Sequence, residues 1–421
     1  MGRNRRTVRA LVVALSALGL ALLALPAGAA DSDTTTTTGV PSDTGTPTIT
    51  AFDAFPLNPV QPVLGADDQQ HLAYELRIAN VSQKTITMES VDVLDAANTD
   101  DVLQTVDAAT ITNLLHVDGG GLSNVVPPGT GGTLFFDVTF AKGAKIPPKV
   151  LHHFTYTLSD TAPLTTDAPG VSDGAAEAST PALQFIGVPE TVENVKAVVV
   201  SPPLKGKGWV IGNGCCDAVT AHRGATLPID GTIHVPERYA IDFVQLNDSG
   251  TLFDGPLDDN ASYGYFGDEI YSAAAGKVVE VQDGLPEQTP GKLPEGATVQ
   301  TAGGNYAVID IGNGHYAFYA HMQPGSIKVK VGQKVKTGQV IGLLGNTGNT
   351  DGAHLHFHVM DGPSPLLANG VPFVFTSFTG EGVVTNIGDV QTGATATIQP
   401  QNNGPHTKEL PLNNEVIDFG S

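Results

Sequence analysis

Short runs of alternating apolar and polar residues recur through the first half of the chain. Residues 72–78, 85–88 and 132–138 are such runs, and Asn, Ser, Gly and Pro separate them. Alternation with a period of two predicts strands with one buried face, and short strands between turn residues are typical of an antiparallel sandwich. We therefore predict an accessory, immunoglobulin-like β-sandwich over residues 51–190. This half also contains histidines without ligand spacing, which we expect on the surface or in loops: His71, His116, His152 and His153.

A second set of short apolar runs follows a connection around residues 189–194. The runs are punctuated by Gly or Asn and cover residues 240–244, 275–281, 306–311 and 315–321. Residues 331–342 then place glycines at tight turns between short apolar strands. Because no long amphipathic helix pattern interrupts this half, we predict a second antiparallel β-sheet domain over residues 198–421. The whole ordered chain is thus expected to be all-β.

The amino terminus has the three parts of a secretory signal. Four arginines lie within the first nine residues, an apolar run covers residues 10–25, and small residues follow at 27–29. We expect a signal peptide over residues 1–30 and export; Arg5 and Arg6 leave a twin-arginine route open, although a general secretory signal is simpler. Residues 31–50 are rich in Thr and Asp and predict a flexible linker. No other apolar run reaches the ~20 residues that span a bilayer, so we expect a soluble mature protein without a transmembrane anchor.

Charge narrows the set of partners. The chain has 21 basic and 43 acidic residues, a formal net charge of −22. A nucleic acid is an unfavourable partner for such a chain, and tight electrostatic adhesion to an anionic cell wall is not favoured either.

The cysteines are neighbours, Cys215 and Cys216. A bridge between adjacent residues would be strained, because their Cα atoms lie only about 3.8 Å apart across a trans peptide. Two small buried side chains and a vicinal bridge are both open readings. A thiolate metal site is less favoured, since no second cysteine pair exists.

The residues that indicate chemistry lie between Ala317 and Met360. His354, His356 and His358 alternate along a predicted strand and therefore share one face, and His321 lies in a turn before them. Imidazoles at this spacing can bind one metal ion or divide the work between metal ligand and proton carrier. The simpler alternative is a polar strand face with incidental histidines.

Residues from about 198 to 375 resemble the LytM and lysostaphin-type zinc endopeptidases. The matching motifs are Tyr-Ala-Ile-Asp-Phe at residues 239–243, Tyr-Ala-His-Met at 319–322, the hairpin at 332–339 and Gly-Ala-His-Leu-His-Phe at 352–357. The hairpin alone would also fit lipoyl and biotinyl domains, but those lack the histidine strand. The resemblance implies a β-sheet core and zinc-dependent cleavage of peptides in bacterial peptidoglycan, which would be the partner of this chain.

The resemblance also implies roles for individual residues. Asp242 and His356 match zinc ligands, while His321 and His354 match histidines that assist the reaction. The family's first ligand is a histidine four residues before the aspartate, and here that residue is Arg238. Arginine stays protonated and cannot bind zinc, and its guanidinium could pair with Asp242 at the metal position. Substitute ligands would be His354, His358, or a loop histidine, His222 or His234, although a surface position is the simpler expectation for His222.

Two function classes therefore remain open. One is an exported zinc endopeptidase acting on peptidoglycan cross-links. The other is a metal-poor relative that binds wall peptides or regulates another hydrolase.

Overall fold

A computed structural model describes residues 49–160, 181–216 and 219–420. The predicted signal peptide and residues 31–48 of the predicted linker lie outside this range. Strands dominate the described residues, which confirms the all-β prediction.

The first half contains two sheets and one short helix, α1 (Ala108–Leu114). Its strands are β1 (Phe52–Pro56), β2 (Pro62–Leu64), β3 (Gln69–Asn80), β4 (Thr85–Asp95), β5 (Asn98–Asp107), β6 (Leu115–Val117), β7 (Val125–Val126), β8 (Gly131–Ala141), β9 (Lys149–Ser159), β10 (Leu183–Ile186) and β11 (Glu190–Thr191). One sheet has the order β1-β3-β8-β6 with β2 beside β3, and the other has the order β10-β9-β4-β5 with β7 and β11 on its margins. Apolar side chains from both sheets form one core. The sheets thus form a sandwich, and its immunoglobulin-like topology stays a prediction.

Burial contradicts the expectation for three histidines of the sandwich. His71, His152 and His153 are buried on strands, and His116 alone of the four is exposed. His71 lies between two carboxylates, with Nδ1 2.9 Å from Asp137 and Nε2 3.2 Å from Asp67. Buried polar groups need such partners. Asp137 lies on β8, 66 positions from His71, so the local pattern could not reveal this partner, whereas Asp67 lies only four positions away.

The second half is built on one long antiparallel sheet. Its elements are β12 (Val198–Val200), β13 (Trp209–Gly212), β14 (Leu227–Ile229), β15 (Thr232–His234), β16 (Ile241–Gln245), a 3₁₀ turn (Asn260–Ser262), β17 (Glu269–Tyr271), β18 (Gly276–Gln282), β19 (Asn305–Gly312), β20 (His315–Met322), β21 (Lys334–Val335), β22 (Val340–Leu343), β23 (Leu355–Met360), β24 (Phe373–Phe375), β25 (Phe378–Val384), α2 (Ile387–Val390), β26 (Ile398–Gln399), β27 (Gly404–His406) and β28 (Glu415–Asp418). The main sheet runs β21-β18-β19-β20-β23-β16-β13-β28-β25-β26, and β27 pairs with β25. β23 thus lies between β20 and β16.

The register of these central strands brings the chemistry together. Asp242 on β16 lies opposite His356 on β23, and Ala320 on β20 lies opposite the same histidine. Leu355, Phe357 and Val359 of β23 enter the main core, so the histidines that alternate with them face the other side of the sheet.

The sandwich and the second half also share a core. Val63, Ala66 and Ala73 of the sandwich pack in the same cluster as Trp209 and Ile211. A division into independently folding units at residues 51–190 and 198–421 therefore stays a prediction, which limited proteolysis would check. Among the described residues, no helix is long and apolar enough to cross a membrane.

Candidate metal centre

A cleft of about 720 Å³ opens over the histidine face of the main sheet. Imidazoles and carboxylates from four separate segments reach it: His222, Glu237, Asp242, His321, His354 and His356. The structure thus brings together residues that span well over one hundred positions of the chain.

Asp242 is the hub of this cluster. Its Oδ2 accepts a hydrogen bond from Asn213 Nδ2 at 2.8 Å and lies 3.2 Å from His222 Nε2. Its Oδ1 lies 3.0 Å from His356 Nδ1 and 3.3 Å from His354 Nε2. Burial alone would raise the pKa of Asp242, but the charges and hydrogen bonds of His222 and His354 hold the pKa well below its usual range. The Asp242 carboxyl is therefore ionised at any pH near neutrality.

His222 comes from the turn Ala221-His222-Arg223-Gly224, and its position contradicts the expectation of a surface residue. Only 5% of the residue is exposed. Its Nδ1 lies 3.0 Å from the Ala240 carbonyl oxygen, which can only accept, so Nδ1 carries the proton and Nε2 points at Asp242. Burial would lower the pKa of His222, but the negative charge of Asp242 outweighs burial and raises it to about 9.

His356 and His358 are paired on the same strand. The distance between His356 Nε2 and His358 Nδ1 is 2.9 Å. When His356 donates through Nε2, its Nδ1 presents a lone pair to the Asp242 carboxylate 3.0 Å away. Two acceptors at this distance need a proton or a cation between them. His358 is buried, and it touches His356 without joining the ligand cluster.

The donor set fits a zinc ion. His222, Asp242 and His356 each offer one ligand atom, and these atoms lie within 4.8 Å of one another. Tetrahedral coordination at about 2.0–2.1 Å separates ligand atoms by about 3.3 Å, close to the separations around Asp242. Among the described residues, His234 and Arg238 are outside this group.

His321 and His354 form the opposite wall of the cleft. Their ring centroids are 4.5 Å apart, and His321 is 5.9 Å from His356. His321 Nδ1 donates to the Thr347 carbonyl at 2.6 Å, and His354 Nδ1 donates to the Gly352 carbonyl at 2.8 Å. The Nε2 atom of His321 is thus left for chemistry, whereas that of His354 lies 3.3 Å from Asp242 Oδ1. His321 also has a φ of 64°, a left-handed conformation that a residue with a side chain adopts at a cost and that clusters at functional sites.

The two histidines differ in protonation. Burial, reinforced by the neighbouring histidines, holds the pKa of His321 well below its usual range. Burial also disfavours charged His354, but the adjacent Asp242 carboxylate raises its pKa. His321 is therefore held in its neutral form, whereas the protonated form of His354 is favoured.

Arg238 pairs with Glu75, so the possible pairing with Asp242 is not formed. Its Nε donates to the two oxygens of Glu75 on β3 at 3.1 and 2.9 Å. The guanidinium is buried against the sandwich and leaves the metal position clear.

The loop between β13 and His222 contains two further features. Cys215 and Cys216 form a vicinal disulfide bond and are both buried. Asn213, two residues before the bridge, donates to Asp242, and sequence reasoning missed it because nothing in its spacing marks a contact 29 residues away.

Part of the chain is similar to known peptidases. Residues 262–368 match the model of peptidase family M23. The chain is 43% identical over 89 residues to the peptidoglycan DD-endopeptidase ShyA of Vibrio cholerae, which is 20% of either protein. It is 38% identical over 71 residues to the glycyl-glycine endopeptidase ALE-1 of Staphylococcus capitis, covering 17% of this chain and 19% of that protein. The chain thus spans about a fifth of the length of these curated relatives.

A solved structure is also similar. The catalytic domain of lysostaphin from Staphylococcus simulans is 26% identical, covers 39% of this chain and 88% of its own, and gives a TM-score of 0.22. Because this TM-score is low, the similarity to peptidases rests on the sequence matches. The matched range includes His321, His354 and His356, whereas His222 and Asp242 precede it. On these matches, residues 262–368 are similar to peptidase family M23.

Proposed function

We propose that this protein is an exported, zinc-dependent endopeptidase that cleaves peptides of bacterial peptidoglycan. One observation carries the proposal: the ligand atoms of His222, Asp242 and His356 converge in a cleft that also presents His321 and His354. The names of the relatives support the substrate class, and the arginine-rich, apolar amino terminus supports export.

The chain would hold zinc through His222 Nε2, Asp242 and His356 Nδ1. A bound zinc ion would polarise the scissile carbonyl and lower the pKa of a water molecule toward neutrality. The hydrogen bonds to Ala240 and His358 fix the two ligand imidazoles in orientation. Such second contacts are a regular part of metal sites because they set the tautomer of each ligand.

His321 and His354 would act on the substrate. Neutral His321 can take a proton from the attacking water, and protonated His354 can donate a hydrogen bond to the oxygen that gains charge in the transition state. The carbonyls of Thr347 and Gly352 hold the Nδ1–H groups, so each Nε2 is directed away from these anchors and into the cleft.

The metal-poor alternative loses its main argument. That argument was a possible pairing of Arg238 with Asp242, whereas the guanidinium pairs with Glu75. We therefore assign the ligand role to His222 in place of the histidine that the motif lacks.

Metal analysis and a cleavage assay test the proposal. We expect the purified protein to bind one zinc ion and to release cross-linked peptides from peptidoglycan, with chelation stopping and zinc restoring the release. His356→Ala should lose both properties, whereas His315→Ala, a change on β20 outside the cleft, should keep both. If the protein neither binds metal nor cleaves peptidoglycan when zinc is supplied in excess, the proposal is contradicted.

A further inference from the structure

We propose that Glu75 of the sandwich is a positioning residue for the metal centre, and that the accessory sandwich thereby holds two of the metal ligands in place. The inference rests on the proposed function for the identity of the ligands. It begins from a buried carboxylate that faces two buried guanidinium groups across the boundary between the sandwich and the peptidase sheet.

The contact with Arg238 is a fork-like ion pair. Nε of Arg238 donates to both oxygens of Glu75, and Nη2 also donates to Oε2. Glu75 is 0% exposed and Arg238 is 2% exposed. Arg238 Nη1 reaches the Pro59 carbonyl at 3.4 Å, a further contact with the sandwich half. Charge-assisted pairs with this planar geometry fix direction as well as distance.

Arg223 approaches the same carboxylate from the other side. Its Nη2 lies 3.9 Å from Glu75 Oε1 and donates to the Phe136 carbonyl on β8 at 3.0 Å. Its Nη1 donates to the Cys216 carbonyl. Arg223 is only 1% exposed. Among the described residues, Glu75 is the carboxylate that lies within salt-bridge distance of its guanidinium.

Both arginines are close to metal ligands along the chain. Arg223 follows His222 directly, and Arg238 lies two residues before Ala240, whose carbonyl holds His222 Nδ1, and four before Asp242. Glu75 therefore anchors the two backbone segments that must meet for His222 Nε2 and Asp242 to come within 3.2 Å. Tyr239, between Arg238 and Ala240, packs fully buried against the sandwich, with its hydroxyl 3.4 Å from the Ala73 carbonyl.

Removal of the carboxylate charge should displace these segments. Two buried guanidinium groups without a counter-ion are strongly unfavourable, because no carboxylate then compensates for the hydration that they lost on burial. The least costly response is movement of Arg223 and Arg238 toward water, and the ligand segments must follow. Loss of a group that orients metal ligands typically weakens metal affinity by about 10- to 100-fold.

A matched pair of variants tests this. Glu75→Gln keeps the shape of the side chain and removes its charge. Lys142→Met removes another ion pair across the same boundary, in which Lys142 Nζ lies 2.7 Å from Glu409, but neither of these residues adjoins a ligand. Zinc affinity of the full chain is measured by competition with a chelator. We expect a loss of about tenfold or more for Glu75→Gln and an unchanged affinity for Lys142→Met.

Two further readouts separate positioning from general stability. The visible absorption spectrum of the cobalt(II)-loaded protein reports ligand geometry, and it should change in Glu75→Gln alone. Hydrogen exchange, which needs no metal, should become faster in residues 219–226 and 237–243 in the same variant. If Glu75→Gln does not fold, Arg238→Lys keeps the charge and loses the fork, and the same losses are expected at smaller size.

Unchanged zinc affinity in Glu75→Gln, or equal losses in both variants, would overturn the inference. If the unaltered protein bound no metal, the proposed function would fail by itself. Exchange in the two ligand segments would then decide the positioning role: a rate increase confined to Glu75→Gln supports it, and unchanged rates refute it.

Discussion

The third metal ligand is the assignment on which the proposed chemistry most depends, and His222→Ala tests it. The motif favours His354 as the substitute for the missing histidine, whereas the geometry favours His222. His222 Nε2 lies 3.2 Å from Asp242 Oδ2 and belongs to the group of mutually close ligand atoms. His354 Nε2 lies 3.3 Å from Asp242 Oδ1 but is outside that group.

The expected magnitude follows from the number of ligands. Zinc bound by four protein ligands gains about 10–16 kcal/mol, which is roughly 3–4 kcal/mol for each ligand. Since about 1.4 kcal/mol corresponds to a factor of ten, His222→Ala should weaken zinc binding by roughly 100- to 1000-fold. His354→Ala removes a hydrogen-bond partner of Asp242 and should weaken binding by about tenfold, while it should strongly slow cleavage.

Chelator competition at fixed pH and ionic strength measures both losses. His234→Ala serves as the control, because His234 also precedes Asp242 but lies on the β14–β15 hairpin outside the ligand group. Its zinc affinity should equal that of the unaltered protein. A larger loss for His354→Ala than for His222→Ala would refute the assignment and make His354 the third ligand.

Three other predictions follow from buried charges. Arg238→His should not raise zinc affinity and should lower the free energy of unfolding by about 3–5 kcal/mol, because it breaks the buried pair with Glu75; a gain in zinc affinity on titration would contradict this. His71 has a pKa that burial would lower but that Asp137 and Asp67 raise to about 9, above the ordinary 6.5, so its stabilisation is complete below pH 6.5 and is lost as the pH rises through 9. Urea unfolding should therefore show an advantage over His71→Gln that shrinks by about 3 kcal/mol across this range, and a constant difference would be inconsistent with the linkage. Burial raises the pKa of Glu287 to about 7 from 4.5, so stability falls as the pH rises between these values; Glu287→Gln should raise the melting temperature at pH 8 but not at pH 4, and equal shifts at both would refute the cause.

The sequence was sufficient to predict the all-β class and the histidines that form one wall of the cleft. Alternation in β23 predicted that Leu355 and Phe357 face the core while the histidines between them face away, and the strand has this arrangement. Period-two patterns carry this information because each residue's face is set by its immediate neighbours. The same local logic explains why His321 was found, since it lies in a motif of contiguous residues.

The other wall could not be predicted in this way. His222 lies twenty positions before Asp242, with the β14–β15 hairpin between them, and no periodicity connects the two residues. Arg238 has its partner 163 residues away on a sandwich strand. A motif aligned on position 238 could state only that an imidazole was absent there. It could not state that a turn sixteen residues earlier brings one to the same carboxylate.

The two departures at positions 222 and 238 are physically connected. A histidine at position 238 would have to direct its ring toward Asp242, whereas the arginine is directed toward Glu75, away from the cleft. Because the Arg238 side chain binds the sandwich, it fixes the segment before β16 in place. The proposed metal position can then accept an imidazole from another segment. The turn around His222 can fill it because Arg223 docks on the same carboxylate and thereby sets the direction of its neighbour. A buried ion pair is weak evidence for stability, since well-packed apolar residues often stabilise as much. The ion pair does, however, fix the orientation of the side chains that form it, which apolar contacts cannot do. A metal site requires such fixed orientations.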